Sequence, residues 1–123
     1  MIKTKQIIVR YSTNRNNNEL IDVNLFSSGY TMKIITSKEW INIPHPPHYH
    51  DGEQILLLID GYAEFGYKEN ERVSIFSTEI GKYYYIPPFM PHQIKLKGNL
   101  AIFYSTALGL VPSANLENEF FDL

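Results

Sequence analysis

The stretch HPPHYHDGEQ, His45 to Gln54, holds three of the four histidines in the chain. Side chains two residues apart on a strand share a face, so His48 and His50 present their imidazoles side by side. Neutral imidazole is a common ligand for divalent transition metals, which makes this pair the start of a metal site. The same parity asks which residue completes it. If the Asp51-Gly52 turn preserves the face, Gln54 points the same way as the histidines and as Leu56 and Leu58, while Glu53 points away. A bulge at Gly52 reverses this, because one extra residue flips the face. His45 lies between prolines and reads as a rim residue.

Around this stretch the chain reads as one domain of 123 residues, enough for a single core. Aromatic residues make up 14%, with nine Tyr and seven Phe, a composition that suits pleated, half-buried surfaces. The net charge of −2 provides no basic field, so neither nucleic acid nor an anionic membrane is an expected partner. The absence of cysteine excludes disulfides, a thiolate nucleophile and Cys-ligated zinc, and fits a reducing compartment. MIKTKQIIVRYS has no apolar signal-like run, and the longest apolar run, ILLLI, falls short of a membrane span. A cytoplasmic location is the expectation.

Short β-branched or alternating segments recur between turn signals. QIIVRY, LIDVNLF, YTMKIITS, QILLLID, YAEFGY, RVSIFS, KYYYIPP, HQIKLK and LAIFYST read as strands. The Asn cluster after Tyr11, Ser27-Ser28-Gly29, Gly61, KENE (68–71), Gly81 and Gly98-Asn99 punctuate them. QILLLID has no polar face, so both of its faces are expected to be covered. Residues 1–112 read as one barrel with an N-terminal strand extension, and 113–123 as an acidic tail or short helix with Leu116, Phe120 and Phe121 docking. No helical periodicity of ordinary length precedes residue 113, so a helix-turn-helix is excluded. The fold class is all-β, a sandwich or barrel.

From residue 42 to 96 the chain resembles the cupin superfamily. The first motif of that family is Gly, five residues, His-x-His, three or four residues, Glu, six residues, Gly; His48-Tyr49-His50 and Gly61 match it. The second is Gly, five residues, Pro-x-Gly, two residues, His, three residues, Asn; Gly81, Pro87 and His92 match it. Asn42, Lys82, Phe89 and Leu96 depart from the motifs at turn or flanking positions. The resemblance implies a double-stranded β-helix, the cupin jelly-roll barrel, with His92 brought opposite His48 and His50. Counting back from Gly61, the Glu position of the motif holds Gln54, so the implied metal ligands are His48, His50, Gln54 and His92. A subset of small cupins with His-x-His-x-x-x-Gln and a later His is similar; it includes the compact enzyme that opens the ring of unsaturated uronates.

Gln in place of Glu changes the chemistry expected of the site. A neutral carbonyl leaves the charge of a divalent ion uncompensated, which strengthens the Lewis acid and favours anionic ligands. The expected cofactor is a divalent transition metal: Zn, Ni, Mn, Fe and Cu all suit this donor set. The expected function is metal-dependent isomerisation, ring opening or lyase chemistry on an anionic, oxygen-rich small molecule. The alternatives are an Fe(II)-dependent dioxygenase and a non-catalytic ligand-binding cupin, since cupins host many reactions. No catalytic base is named by the sequence. Tyr85, Phe89 and Tyr104 are candidates for substrate contact, and Arg10, Lys33 and Arg72 for a substrate carboxylate. The apolar faces of QILLLID, together with QIIVRY, point to a homodimer.

Overall fold

The computed structural model describes residues 19–20, 30–50, 52–105, 112–115 and 118–122. Among these, every regular element is a strand: β1 (Glu19–Leu20), β2 (Tyr30–His50), β3 (Gln54–Glu69), β4 (Arg72–Ser77), β5 (Tyr83–Ile86), β6 (His92–Ser105) and β7 (Pro112–Asn115). QIIVRY, nearly all of LIDVNLF, and Leu116 lie outside the described residues. The strand order is β1-β5-β3-β6-β2-β7, with β4 on β3, and all pairings are antiparallel.

Three long strands form the spine: β3 and β6 each replace two shorter sequence segments, and β2 extends YTMKIITS through to His50. The first part of β3 pairs with β5 and β6, and its second part with β4 and β6. The strands are therefore shared by two sheet halves, as a jelly roll requires. The bend sits where Gly61 faces Gly98. Their φ angles are +89° and +139°, and a Cβ on Gly61 would stand 2.3 Å from the Lys97 carbonyl oxygen. Gly61 and Gly98 therefore do not end strands, as sequence punctuation suggests; they let two paired strands approach closely and continue. KENE behaves as read: Asn70 and Glu71 have φ of 51° and 64°, the two-residue type I′ geometry that matches strand twist.

Side-chain parity explains the core. On β3 the even residues Leu56 and Leu58 face inward; after one extra residue between Leu58 and Asp60, the odd residues Ala63, Phe65 and Tyr67 do so. On β6 the even set runs unbroken through Ile94, Leu96, Leu100 and Ile102. Tyr84 and Ile86 of β5 join them, and Ile35, Ile41, Ile43, Phe76, Met90 and Tyr104 pack around the edge. The rings of Phe65, Tyr67, Phe76 and Tyr84 stack in a chain with centroids 5.2 to 6.2 Å apart. Each such side chain contributes about 1.5–3 kcal/mol by leaving water.

The other face of QILLLID is also covered in part. Ile55 and Ala101 are fully buried outside that core. Met32 and Ile34, paired with Phe103 and Ala101 on this face, are about half exposed. Pro112–Asn115 is not the start of a helical turn: β7 pairs with His48–His50, satisfying the backbone of the β2 end. Beyond it, Phe121 is buried in the space over Gly66, where an added Cβ would meet its ring at 3.1 Å.

Candidate metal centre

The histidines reach one place because β2 is irregular. Between Ile43 and His48 it advances five residues while β6 advances two, from Ile94 to His92. The three extra residues, an odd number, switch the inward face from Ile41 and Ile43 to His48 and His50. The run Pro44 to Pro47 supports this, since proline gives no ladder N–H and is tolerated where pairing is already broken. His48 then pairs with His92, and both face the interior.

The ring nitrogens of His48, His50 and His92 lie within 4.8 Å of one another. The rings meet edge to face, with centroids 4.7, 5.0 and 5.1 Å apart. His48 Nε2 and His50 Nε2 are 3.1 Å apart. Two nitrogens bound at about 2.1 Å to one ion at a right angle stand about 3.0 Å apart, so this spacing fits a shared ion. His92 Nδ1 is 2.9 Å from the Met90 carbonyl oxygen; a bond there places the proton on Nδ1 and leaves Nε2 as a free donor of its lone pair.

Burial keeps His48 and His92 neutral. Burial, then repulsion from His50, lowers the His48 pKa from 6.5 to about 4. Burial lowers that of His92 from 6.5 to about 3, with the bond to Met90 opposing and His48 and His50 adding to the shift. Neutral imidazoles are the form a metal needs. The same shifts set a pH dependence for metal-free protein. Above pH 6.5 both groups are neutral in the folded and unfolded chain, so neither disturbs stability. As pH falls below 6.5, the unfolded chain takes up protons that the folded chain refuses. Stability therefore drops from about 6.5 down to about 4 for His48, and on towards about 3 for His92. At pH 5 the buried His92 alone costs about 2 kcal/mol relative to pH 7.5, and half-buried His48 adds less because water screens it. Urea unfolding of chelator-treated protein should show the midpoint falling over this interval; a flat profile contradicts it.

The parity question at Gln54 has a structural answer in register. Gln54 pairs with Ile86 and Tyr104, both on the core side of their strands. Gln54 thus shares the inner face with Leu56 and the histidines. Glu53 is placed differently: its carboxylate accepts a hydrogen bond from the Tyr85 hydroxyl at 3.1 Å. Among the described residues no carboxylate joins the three imidazoles.

The other candidates are separated by the same rule. Tyr104 packs against the core on Gln54's face. Tyr85 pairs with Ile55, on the opposite face, so the structure does not bring it to the histidines' side. Phe89 stands at φ 63° and 63% exposed. Its N–H donates to the His50 carbonyl at 2.7 Å, and its ring sits 6.3 Å from that of Tyr49, which alternation turns away from the histidines. Phe89 therefore ties the rim loop to the end of β2. His45, exposed as expected, pairs with Glu119 at 2.5 Å. Lys33 pairs with Ile102 and shares its face while staying exposed; Arg72 is exposed on β4, and Arg10 lies outside the described residues.

Sequence reasoning missed Gln93. Next to His92 in an alternating strand it reads as a solvent-facing polar residue, yet it is fully buried. No local signal marks it, because what buries it is the segment at 119–122.

No family model matches the chain, and no curated protein does. Solved structures match in shape. Vicilin from Corylus avellana (hazelnut) superposes with a TM-score of 0.53 at 17% identity, over 82% of this chain and 32% of that one. The oxalate decarboxylase of Bacillus subtilis, a protein with Mn(II) centres, gives 0.52 at 17% identity, over 85% and 27%. A DMSP lyase from Ruegeria pomeroyi gives 0.50 at 17% identity, over 68% and 40%. The chain thus spans less than half the length of each. At such identity these likenesses show the fold, and the fold they share is the one the motifs imply. In its described residues the chain is an all-strand, cupin-fold protein whose clustered His48, His50 and His92 could hold a metal ion.

Proposed function

We propose that the chain is a metal-dependent enzyme acting on an anionic, oxygen-rich small molecule by isomerisation, ring opening or lyase chemistry. One observation carries the reading: three imidazoles, two of them buried and the third half-buried, converge with no carboxylate among them in the described residues. Gln54 is the fourth ligand in this reading, and it too is neutral. A divalent ion held there supplies a Lewis acid whose charge is left for the substrate.

The remaining residues bind and orient. The Met90 carbonyl fixes the tautomer and angle of His92. Leu56 and Ile86, beside Gln54 on the inner face, keep the surroundings apolar, which strengthens any charge interaction within them. The Tyr104 hydroxyl is the hydrogen-bond donor nearest in register to Gln54 on β6, and Lys33, two pairs away on the same face, is the cation for a substrate carboxylate. The fold's relatives include a DMSP lyase and an oxalate decarboxylase; both names describe small-molecule bond cleavage, which supports this class of reaction. In this reading the chain works as a homodimer, with the half-exposed Met32 and Ile34 in the contact.

The test is a panel of small carboxylates and unsaturated uronates incubated with Zn(II)-loaded protein under anaerobic conditions and followed by proton NMR. Conversion without oxygen is expected. Turnover only with Fe(II) and stoichiometric oxygen uptake establishes a dioxygenase instead. Tight binding with the ligand unchanged establishes a binding protein.

A further inference from the structure

Behind the histidine cluster, on the opposite face of β6, lies a polar knot. Gln93 follows His92, pairs with Gly66 and is completely buried. Its Nε2 donates to the Pro44 carbonyl oxygen at 2.9 Å and to the Glu119 carboxylate. Its Oε1 accepts the backbone N–H of Phe120 at 2.8 Å. Asn42 Nδ2 donates to the Phe121 carbonyl at 3.0 Å, and His45 reaches Glu119 from the other side. The Phe121 ring covers Gly66, and Gln93 has no exposed surface, while His45 and Glu119 at the outer side of the knot reach solvent.

The placement of these contacts gives them a consequence for the site. Pro44 belongs to the irregular part of β2 that turns His48 and His50 inward, where direct pairing with β6 is interrupted between Ile43 and His48. Gln93 bridges that interruption. One amide thus ties the segment leading to two of the histidines to the residue next to the third. We propose that Gln93, with the 119–122 segment locked onto it, is the positioning residue of the histidine cluster: it sets the spacing of His48 and His50 against His92 from behind. This rests on the metal reading above. Partners that orient ligands typically govern metal affinity by about 10–100-fold, and the Gln93 amide, bonded through both its nitrogen and its oxygen, holds one geometry where a broken network does not; only the Asn42 Oδ1 beside it is buried without a partner among the described residues.

The experiment compares full-length wild type with Gln93→Met, Phe121→Ala and Ile35→Ala, using Co(II) as probe. Gln93→Met keeps the side-chain length and removes the amide. Phe121→Ala unseats the tail and leaves Gln93 intact. Ile35→Ala disturbs the core at the other end of β2. Affinity by competition titration, the visible ligand-field spectrum and the melting temperature are measured on protein that is folded by circular dichroism. Gln93→Met should weaken Co(II) binding at least about tenfold and shift the ligand-field bands. Phe121→Ala should act in the same direction and more weakly, and it decides the matter if Gln93→Met does not fold. Ile35→Ala should lower the melting temperature and leave affinity and spectrum alone. Wild-type affinity and spectrum in the Gln93 and Phe121 variants overturn the positioning role, as does an equal loss in Ile35→Ala. Wild type that binds no Co(II) overturns the metal reading itself, and this proposal with it.

Discussion

Replacing His50 and His92 together by alanine should take bound metal from one equivalent per chain to none, in protein that stays folded. Both side chains are buried, and both belong to the one three-imidazole group. Removing two leaves His48, half-buried, as the only imidazole of the group. A single imidazole cannot hold a divalent transition metal against buffer and chelator, whereas a facial set of three can. The fold should survive because the cluster is not part of its apolar core. His92 loses a bond to the Met90 carbonyl, a cost of about 1–3 kcal/mol, and its replacement also removes a buried group that resists protonation. Metal analysis after gel filtration, with circular dichroism on the same sample, checks the outcome. Full occupancy in the folded double variant is incompatible with the site described.

Gly61→Ala should be among the most damaging single substitutions to the fold. The new Cβ would stand 2.3 Å from the Lys97 carbonyl oxygen and 2.7 Å from the Gly98 Cα, at a φ of +89°. Neither neighbour is a side chain that can swing away; both are backbone of the strand paired across the bend. Holding a non-glycine residue at such a φ costs on the order of 1–3 kcal/mol, and parting the strands removes ladder bonds besides. A total loss of roughly 4 kcal/mol or more is expected, which is large against the usual stability of a small domain. Equilibrium urea unfolding measures it. Gly81→Ala is the comparison: its φ is +82°, yet nothing lies within 4 Å of an added Cβ, so only the backbone strain should appear. Equal losses in the two variants would mean that the paired backbones at Gly61 and Gly98 do not approach as closely as described.

The sequence was most informative where physics is periodic. RVSIFS coincides with β4 (Arg72–Ser77), and KENE gives a tight hairpin because a two-residue turn needs the left-handed region at Asn70 and Glu71. Gln54 pairs with Ile86 and Tyr104, which puts it on the core side of β3 as its parity with Leu56 and Leu58 suggests. Strand ends were less legible. Gly61 and Gly98 look like turn residues, and only the pairing of one with the other shows them to be a close backbone approach inside two long strands. The strand Pro112–Asn115 was hidden for a related reason: its hydrogen-bond partners lie on β2, more than sixty residues away. Gln93 could not be singled out, since its burial depends on Phe121 and Glu119 arriving from the far end of the chain. Tyr85 looked like a pocket residue beside the second motif, but strand parity relative to Gln54 cannot be known before the register of β3 and β5 is.

The central claim is that His48, His50 and His92 hold one divalent metal ion with Gln54, not Glu53, completing the set. Anomalous diffraction from crystals of metal-loaded protein tests it most directly. The account predicts a single anomalous peak bonded to the three imidazoles, with the Gln54 amide oxygen at the ion or one water away and the Glu53 carboxylate still on the Tyr85 hydroxyl. A peak bonded to the Glu53 carboxylate, or one lying away from the three histidines, would contradict it.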